Sequence, residues 1–268
     1  MDETIRKKYK DLKNISNNKY TTVYKGINIE TDTYVAIKEI NKEKYNIETN
    51  SIFKVEEMKE NIKLGKNIYY KEIIDTKQYF YIIMDLYLCN LNEYLKMRKN
   101  PFSINEVFEF LSQLNQILKK IQNEKIIIGN LKLSNILLSL DTIEKCKFIL
   151  SDFGLNTKNN LHNSIFDLEN LKFISPEILK DKNENNLKND IWSLGIIIYY
   201  IIFKQYPYNG KNEIQILNDI TNKNKQIKII QDKNLNDLVN KMLIEDPNKR
   251  ISWYEYFNHP FFNKNNLN

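Results

Sequence analysis

Along the first third of the chain, apolar residues recur with the short period of strands. Tyr20–Lys25 and Thr33–Ile40 are rich in β-branched and aromatic residues and are separated by the polar IETDT turn, which predicts two strands. Ile68–Ile74 and Tyr79–Leu86 predict two more, joined by the short DTKQ turn. Between these pairs, Lys54–Leu64 is crowded with Glu and Lys and reads as a helix. After Cys89 the period changes. Val107, Phe110, Leu111, Leu114, Ile117, Leu118 and Ile121 fall on one helical face, and Ser103 with Glu106 forms a capping-box pattern just after Pro101. The most apolar run, Ile191–Phe203, is too short to span a bilayer and reads as a buried core helix. Asn-rich stretches at 156–163, 182–189 and 222–226 read as surface loops. No internal repeat is present. A sheet-rich beginning followed by a helical remainder predicts an α+β fold of two unequal lobes.

Composition narrows the class of protein. With 268 residues, 42% hydrophobic and 12% aromatic, the chain is long and apolar enough for a real core, which argues against disorder. Cys89 and Cys146 are the only cysteines, and His162 and His259 the only histidines. The cysteines are too few for a disulfide framework or a Cys-based zinc site, the histidines argue against a histidine-rich metal site, and a reducing, intracellular compartment is expected. The N-terminus MDETIRKKYK has no apolar signal core, so a soluble, cytoplasmic protein without a membrane segment is expected. The net charge of +6 comes from scattered lysines, with arginine only at positions 6, 98 and 250. Scattered charge does not make a nucleic-acid footprint, so no nucleic-acid partner is expected.

Candidate chemistry lies in short motifs. Residues 35–38 read VAIK, residues 128–135 read IGNLKLSN, and Asp152-Phe153-Gly154 follow. Farther on come Ser175-Pro176-Glu177, the run Asp190-Ile191-Trp192-Ser193-Leu194-Gly195, the segment DPNKRIS around Arg250, and His259-Pro260-Phe261-Phe262. A strand lysine or a D-F-G tripeptide means little alone. In this order and spacing, the set resembles the eukaryotic-type protein kinase superfamily, of the serine/threonine-kinase-like kind.

The resemblance covers residues 9–262 and implies a bilobal kinase fold: a β-rich N-lobe over 9–85 with one main helix, a hinge over 86–90 and a helical C-lobe over 91–262. It assigns Lys38 to the nucleotide phosphates, with Glu57 (rather than Glu56) as its helix partner. Val23, Ala36 and Leu137 would sandwich adenine, with Met84 at the back of its pocket, although Met84 fits a plain core strand equally well. Asn135 and Asp152 would hold Mg²⁺, Lys132 would approach the transferred phosphate, and Arg250 would pair with Glu177. ATP and Mg²⁺ are the implied ligands, and a protein partner or substrate is implied without an identity.

The departures from the family pattern matter as much. Asn130 stands where the family keeps the aspartate that accepts the substrate hydroxyl proton, and an amide has no useful basicity near neutral pH. The phosphate-covering loop, Ser16–Val23, has no glycine, so side chains occupy positions that are bare in the family. The hairpin is still expected, since Asn tolerates left-handed backbone. Ile128 replaces a histidine, Asn170 a threonine of the substrate-facing loop, and Gly129 the arginine that reads a phosphorylated activation segment. Switching through Thr157 or Ser164 is therefore not expected. Three readings follow: an ATP-binding pseudokinase acting as scaffold or allosteric regulator, an atypical active serine/threonine kinase, and a purely structural module.

Overall fold

A computed structural model describes residues 2–49, 52–53, 55–56, 59, 70–125, 127–142, 145–151, 168–181, 187–221 and 227–263. The chain divides into two compact units, Met1–Leu88 and Cys89–Asn268. It is an α+β fold, with a β-sheet in the first unit and mostly helices in the second.

The first unit is a five-stranded antiparallel sheet. Its strands are β1 (Tyr9–Asn17), β2 (Thr21–Asn28), β3 (Tyr34–Asn41), β4 (Tyr70–Asp75) and β5 (Tyr79–Asp85), in the order β1-β2-β3-β5-β4. The central strand β3 is buried on both of its faces. Val35 and Ile37 enter a cluster with Tyr81, Ile83 and Ile74 on one face, and their neighbours point to the other. The polar turns form where the sequence predicts them. Asn28 Oδ1 accepts from the backbone of Glu30 (2.9 Å) and Thr31 (3.1 Å), an Asx turn that leads into β3. Thr76 closes the β4–β5 hairpin through Tyr79.

Two helices here have no counterpart in the pattern of the sequence. Helix α1 (Glu3–Lys8), capped by Asp2, lays the fully buried Ile5 on the Val35–Ile37 face. Helix α2 (Lys42–Thr49) directly follows β3 and packs Tyr45 against Phe53 with ring centroids 4.9 Å apart. In the expected 54–64 helix, Val55, Glu56 and Lys59 are helical; the other residues lie outside those described.

The second unit opens with a small sheet, β6 (Cys89–Asn90), β7 (Ile136–Thr142) and β8 (Lys145–Leu150). Helix α3 (Leu91–Met97) begins at an Asn90–Glu93 capping box, and α4 (Ile104–Asn123) at the predicted Ser103–Glu106 box. Both α4 and α7 (Lys188–Phe203) supply the core. Helix α7 is apolar on every side and correspondingly buried all round, as its sequence requires. It stops at Lys204, whose left-handed φ of 50° ends the helical register. Gly195 lets α7 approach α9 (Lys233–Met242) closely, since a Cβ there would stand 2.9 Å from Leu243 Cδ2. The shorter helices are α5 (Leu168–Leu171), α6 (Pro176–Lys180), α8 (Glu213–Thr221) and α10 (Trp253–Phe257).

One loop expectation is corrected at its end. Of 182–189, residues 182–186 lie outside those described, but Lys188 and Asn189 begin α7, and Asn189 is buried, accepting from Ser175 Oγ at 3.1 Å. A run of Asn suggests solvent; here one amide is instead spent on an internal bond. The stretches 156–163 and 222–226 lie outside the described residues.

Candidate functional site

On the first unit, strand register decides which candidates share a face. Val23, Lys38 and Ile82 form one cross-strand row, and Lys25, Ala36 and Met84 the next. Side chains two apart on a strand point the same way, so Val23, Ala36, Lys38 and Met84 lie together, opposite the Val35–Ile37 face. Ala36 and Met84 are each 6% exposed, which makes the apolar part of that face tight. Glu56 is exposed and accepts from Lys59 Nζ at 2.9 Å, while Glu57 lies outside the described residues.

The glycine-free hairpin is intact. Asn18 N donates to Thr21 O at 2.8 Å and Thr22 Oγ1 meets Asn17 Oδ1 at 3.2 Å. None of residues 16–23 has a positive φ, so the turn closes without the left-handed tolerance that Asn offers. Sequence reasoning passed over Glu39. It is buried on the opposite face, accepts from Tyr81 Oη at 2.9 Å, and Tyr81 Oη in turn accepts from Asp2 N at 3.1 Å.

On the second unit, the loop 128–135 is held mainly by backbone groups. Asp190, 1% exposed in the first turn of α7, accepts from Ile128 N (2.8 Å) and Gly129 N (2.9 Å). Burial pushes its carboxyl up to about 6, against the opposing pull of these two donors. Gly129 has φ 71°, the left-handed region that costs any residue with a Cβ. The backbone O of Asn130 accepts from Asn135 Nδ2 at 2.8 Å, and the backbone O of Asn135 accepts from Ser151 N (2.8 Å) and Oγ (3.1 Å). With Nδ2 so engaged, the Asn135 side chain keeps its carbonyl oxygen as a hard donor of the kind Mg²⁺ takes. Asp152 lies outside the described residues. Leu137 is half-buried on β7, across from Asn90 and Ile149.

Lys132 Nζ donates to Asn170 Oδ1 at 2.8 Å, joining two positions that are far apart in sequence. Together with Asn130, Phe173 and Ser175 they line a small cavity of about 30 Å³. Among the described residues lining it, Asp190 is the only carboxylate, and each of its oxygens already takes a backbone N–H. Beneath this loop, Arg250 is wholly buried and grips Glu177 through two parallel bonds of 2.6 and 2.8 Å. Its remaining donors reach the carbonyls of Ile244, Lys188 and Glu245, so all five N–H groups are used. Sequence order named Arg250 and Glu177 as partners. It did not reveal that Asp190 anchors residues 128 and 129, because a bond to backbone leaves no trace in the residue type at the receiving end.

Residues 9–262 match the family model described as protein kinase domain. Among the similar curated proteins, the serine/threonine-protein kinase PLK4 of Xenopus laevis is 27% identical over 267 residues, covering 96% of this chain and 27% of that protein. A provisionally named serine/threonine-protein kinase of Acanthamoeba polyphaga mimivirus is 30% identical over 278 residues, with 91% and 60% coverage. The serine/threonine-protein kinase atg1 of Dictyostelium discoideum is 28% identical over 260 residues, with 92% and 38% coverage. The chain thus spans between about a quarter and three fifths of the length of these relatives.

Proposed function

The chain belongs to the protein kinase domain family, and from that premise we propose that it is a nucleotide-binding pseudokinase, acting through protein association with absent or very weak phosphotransfer. The observation that carries this reading is the pairing of an amide at Asn130 with an otherwise intact main-chain scaffold around it. On the first unit, Lys38 would meet the nucleotide phosphates, with Val23, Ala36 and Met84 on the same face for the base. On the second, Leu137 is proposed for contact with the base, and Asn135 would hold a metal with Asp152. Bound Mg²⁺ would supply charge neutralisation at the phosphates. Lys132, held by Asn170, would steady the phosphate end, and the loop 170–177 would face a protein chain.

Magnitudes favour silence over activity. A positioned general base contributes ~10²–10⁴ in rate, or about 3–5.5 kcal/mol of barrier. Phosphoryl transfer is loose, so base loss alone would leave turnover of ~10⁻⁴–1 s⁻¹ from a typical ~1–100 s⁻¹. Side chains in the 16–23 hairpin, where backbone N–H groups need open access to phosphate, add a second defect. Active kinase is the other reading, favoured by the retained Lys132 and Asn135.

A thermal-shift titration with ATP and Mg²⁺ tests the nucleotide claim. At ligand one hundred times Kd the fold should gain about 2.7 kcal/mol, and no response with Mg²⁺ or Mn²⁺ would leave a purely structural module. Asn130→Asp should raise peptide phosphorylation by ~10²–10⁴; no gain would place the defect in the hairpin. Serine/threonine phosphorylation by the unaltered chain, abolished by Lys38→Ala, would overturn the pseudokinase reading.

A further inference from the structure

Beside Lys132, the second unit carries a face with its own chemistry. A turn closed by Phe173 N and Asn170 O (3.0 Å) sets Lys172 two positions from the Lys132–Asn170 bond. Lys172 Nζ lies 4.4 Å from the centroid of the Tyr206 ring, and that ring rests against Phe173 (5.6 Å) and Tyr200 (4.5 Å). Lys228 meets neighbouring residues of the same segment. Its Nζ donates to Gln205 Oε1 at 2.9 Å and stands 5.6 Å from the Phe203 ring. The rings of Tyr200, Phe203 and Tyr206 are only partly buried. The segment that supplies them, residues 191–212, contains no Asp or Glu. Neither Lys172 nor Lys228 has an ion-pair partner among the described residues, whereas Lys180 and Lys241 pair with Glu245 and Asp237 at 2.7 Å.

We propose that the face running from Lys172 over Tyr206 to Lys228 receives an acidic peptide segment of a protein partner, carboxylates opposite the two ammonium groups and aliphatic stems over the rings. This rests on the reading of loop 170–177 as the protein-facing loop. An ammonium group held over a ring is already partly ordered, so less freedom is lost when a carboxylate arrives. A basic segment would meet like charge with no carboxylate from residues 191–212 to offset it, which builds discrimination as well as attraction. A purely apolar segment would strip water from two cations and offer nothing in return. A single-stranded nucleic acid would need an open aromatic face for its bases, and Lys172 already covers that of Tyr206.

The test is fluorescence anisotropy on the full chain with two labelled peptides of equal length, one with Glu and one with Lys around a central Ser. The acidic peptide should bind about tenfold more tightly or better, with the advantage shrinking as salt is added. Lys172→Glu should remove that advantage, while Lys147→Glu, the same charge change at an exposed β8 position, should leave it in place, with both variants keeping the parent melting temperature. Equal affinities, preference for the basic peptide, equal losses in the two variants, or displacement of the acidic peptide by an oligonucleotide would each overturn the proposal. The ATP thermal shift, read on the same samples, separates the two claims. A chain that responds to ATP yet ignores peptide charge loses only this inference; one that prefers the acidic peptide but ignores ATP loses only the nucleotide claim.

Discussion

Gly129 has a job that its neighbours in sequence do not announce. Its φ of 71° lets its N–H and that of Ile128 converge on one buried carboxylate. Gly129→Ala should cost about 1–2 kcal/mol, the penalty for placing a Cβ in the left-handed region, measured as a lower urea midpoint at unchanged slope. A loss well below that would mean the loop relaxes around the new side chain. Gly129→Arg carries the same backbone penalty, so restoring the family's arginine would also lower stability. At this scale the sequence is legible in letters more than in bonds. Lys132, Asn170, Glu177 and Arg250 are all recognisable by position, and the structure adds the 2.8 Å contact joining the first two and the paired grip joining the others. Asp190 was visible only as the first letter of a motif. Its two backbone partners precede it by about sixty positions, too far for any local pattern to register.

Helix α1 shows what an element can hide. Of its six residues five are polar, and the sixth, Ile5, is fully buried on the sheet. The helix precedes the family-matched region 9–262, yet its cap residue reaches Tyr81 through Asp2 N. Ile5→Ala should cost about 2–5 kcal/mol, the range for deleting a buried aliphatic side chain; equilibrium unfolding that matches the parent would show α1 to be dispensable. Periodicity could not find α1, because one apolar residue has no period. Helix α2 was missed because its apolar content is low and its one fully buried aromatic, Tyr45, packs by ring contacts. By contrast α4 was plain, with an apolar face in register and a capping box at its start. Strands β3 and β5 were equally plain from their β-branched and aromatic runs.

Across the second unit, the loop at 128–135 and the core helix α7 are coupled through one acid, and the coupling has a pH signature. Burial raises Asp190 from an ordinary 3.8 to about 6. A carboxyl raised on folding favours the folded state in its protonated form, so its contribution is complete below about pH 4 and is lost as pH climbs through 6. Above that window the cost of keeping the ion buried is about 3 kcal/mol. Glu255 and Asp237, held below their ordinary values by Ser252 and by Lys241, add stability as pH rises through the acid end of this window, and comparison with Asp190→Asn cancels them. Urea unfolding between about pH 4 and pH 6.5 should therefore show the parent losing stability relative to Asp190→Asn as pH rises. Parallel curves would mean that Asp190 stays ionised throughout. Because residues 128, 129, 130 and 135 are all fastened through main-chain atoms, the side chain at 130 takes no part in the bonds described for this loop. A single base change separates the codons of Asn and Asp. Evolution could thus exchange amide for acid at this spot, in either direction, without rebuilding the scaffold around it.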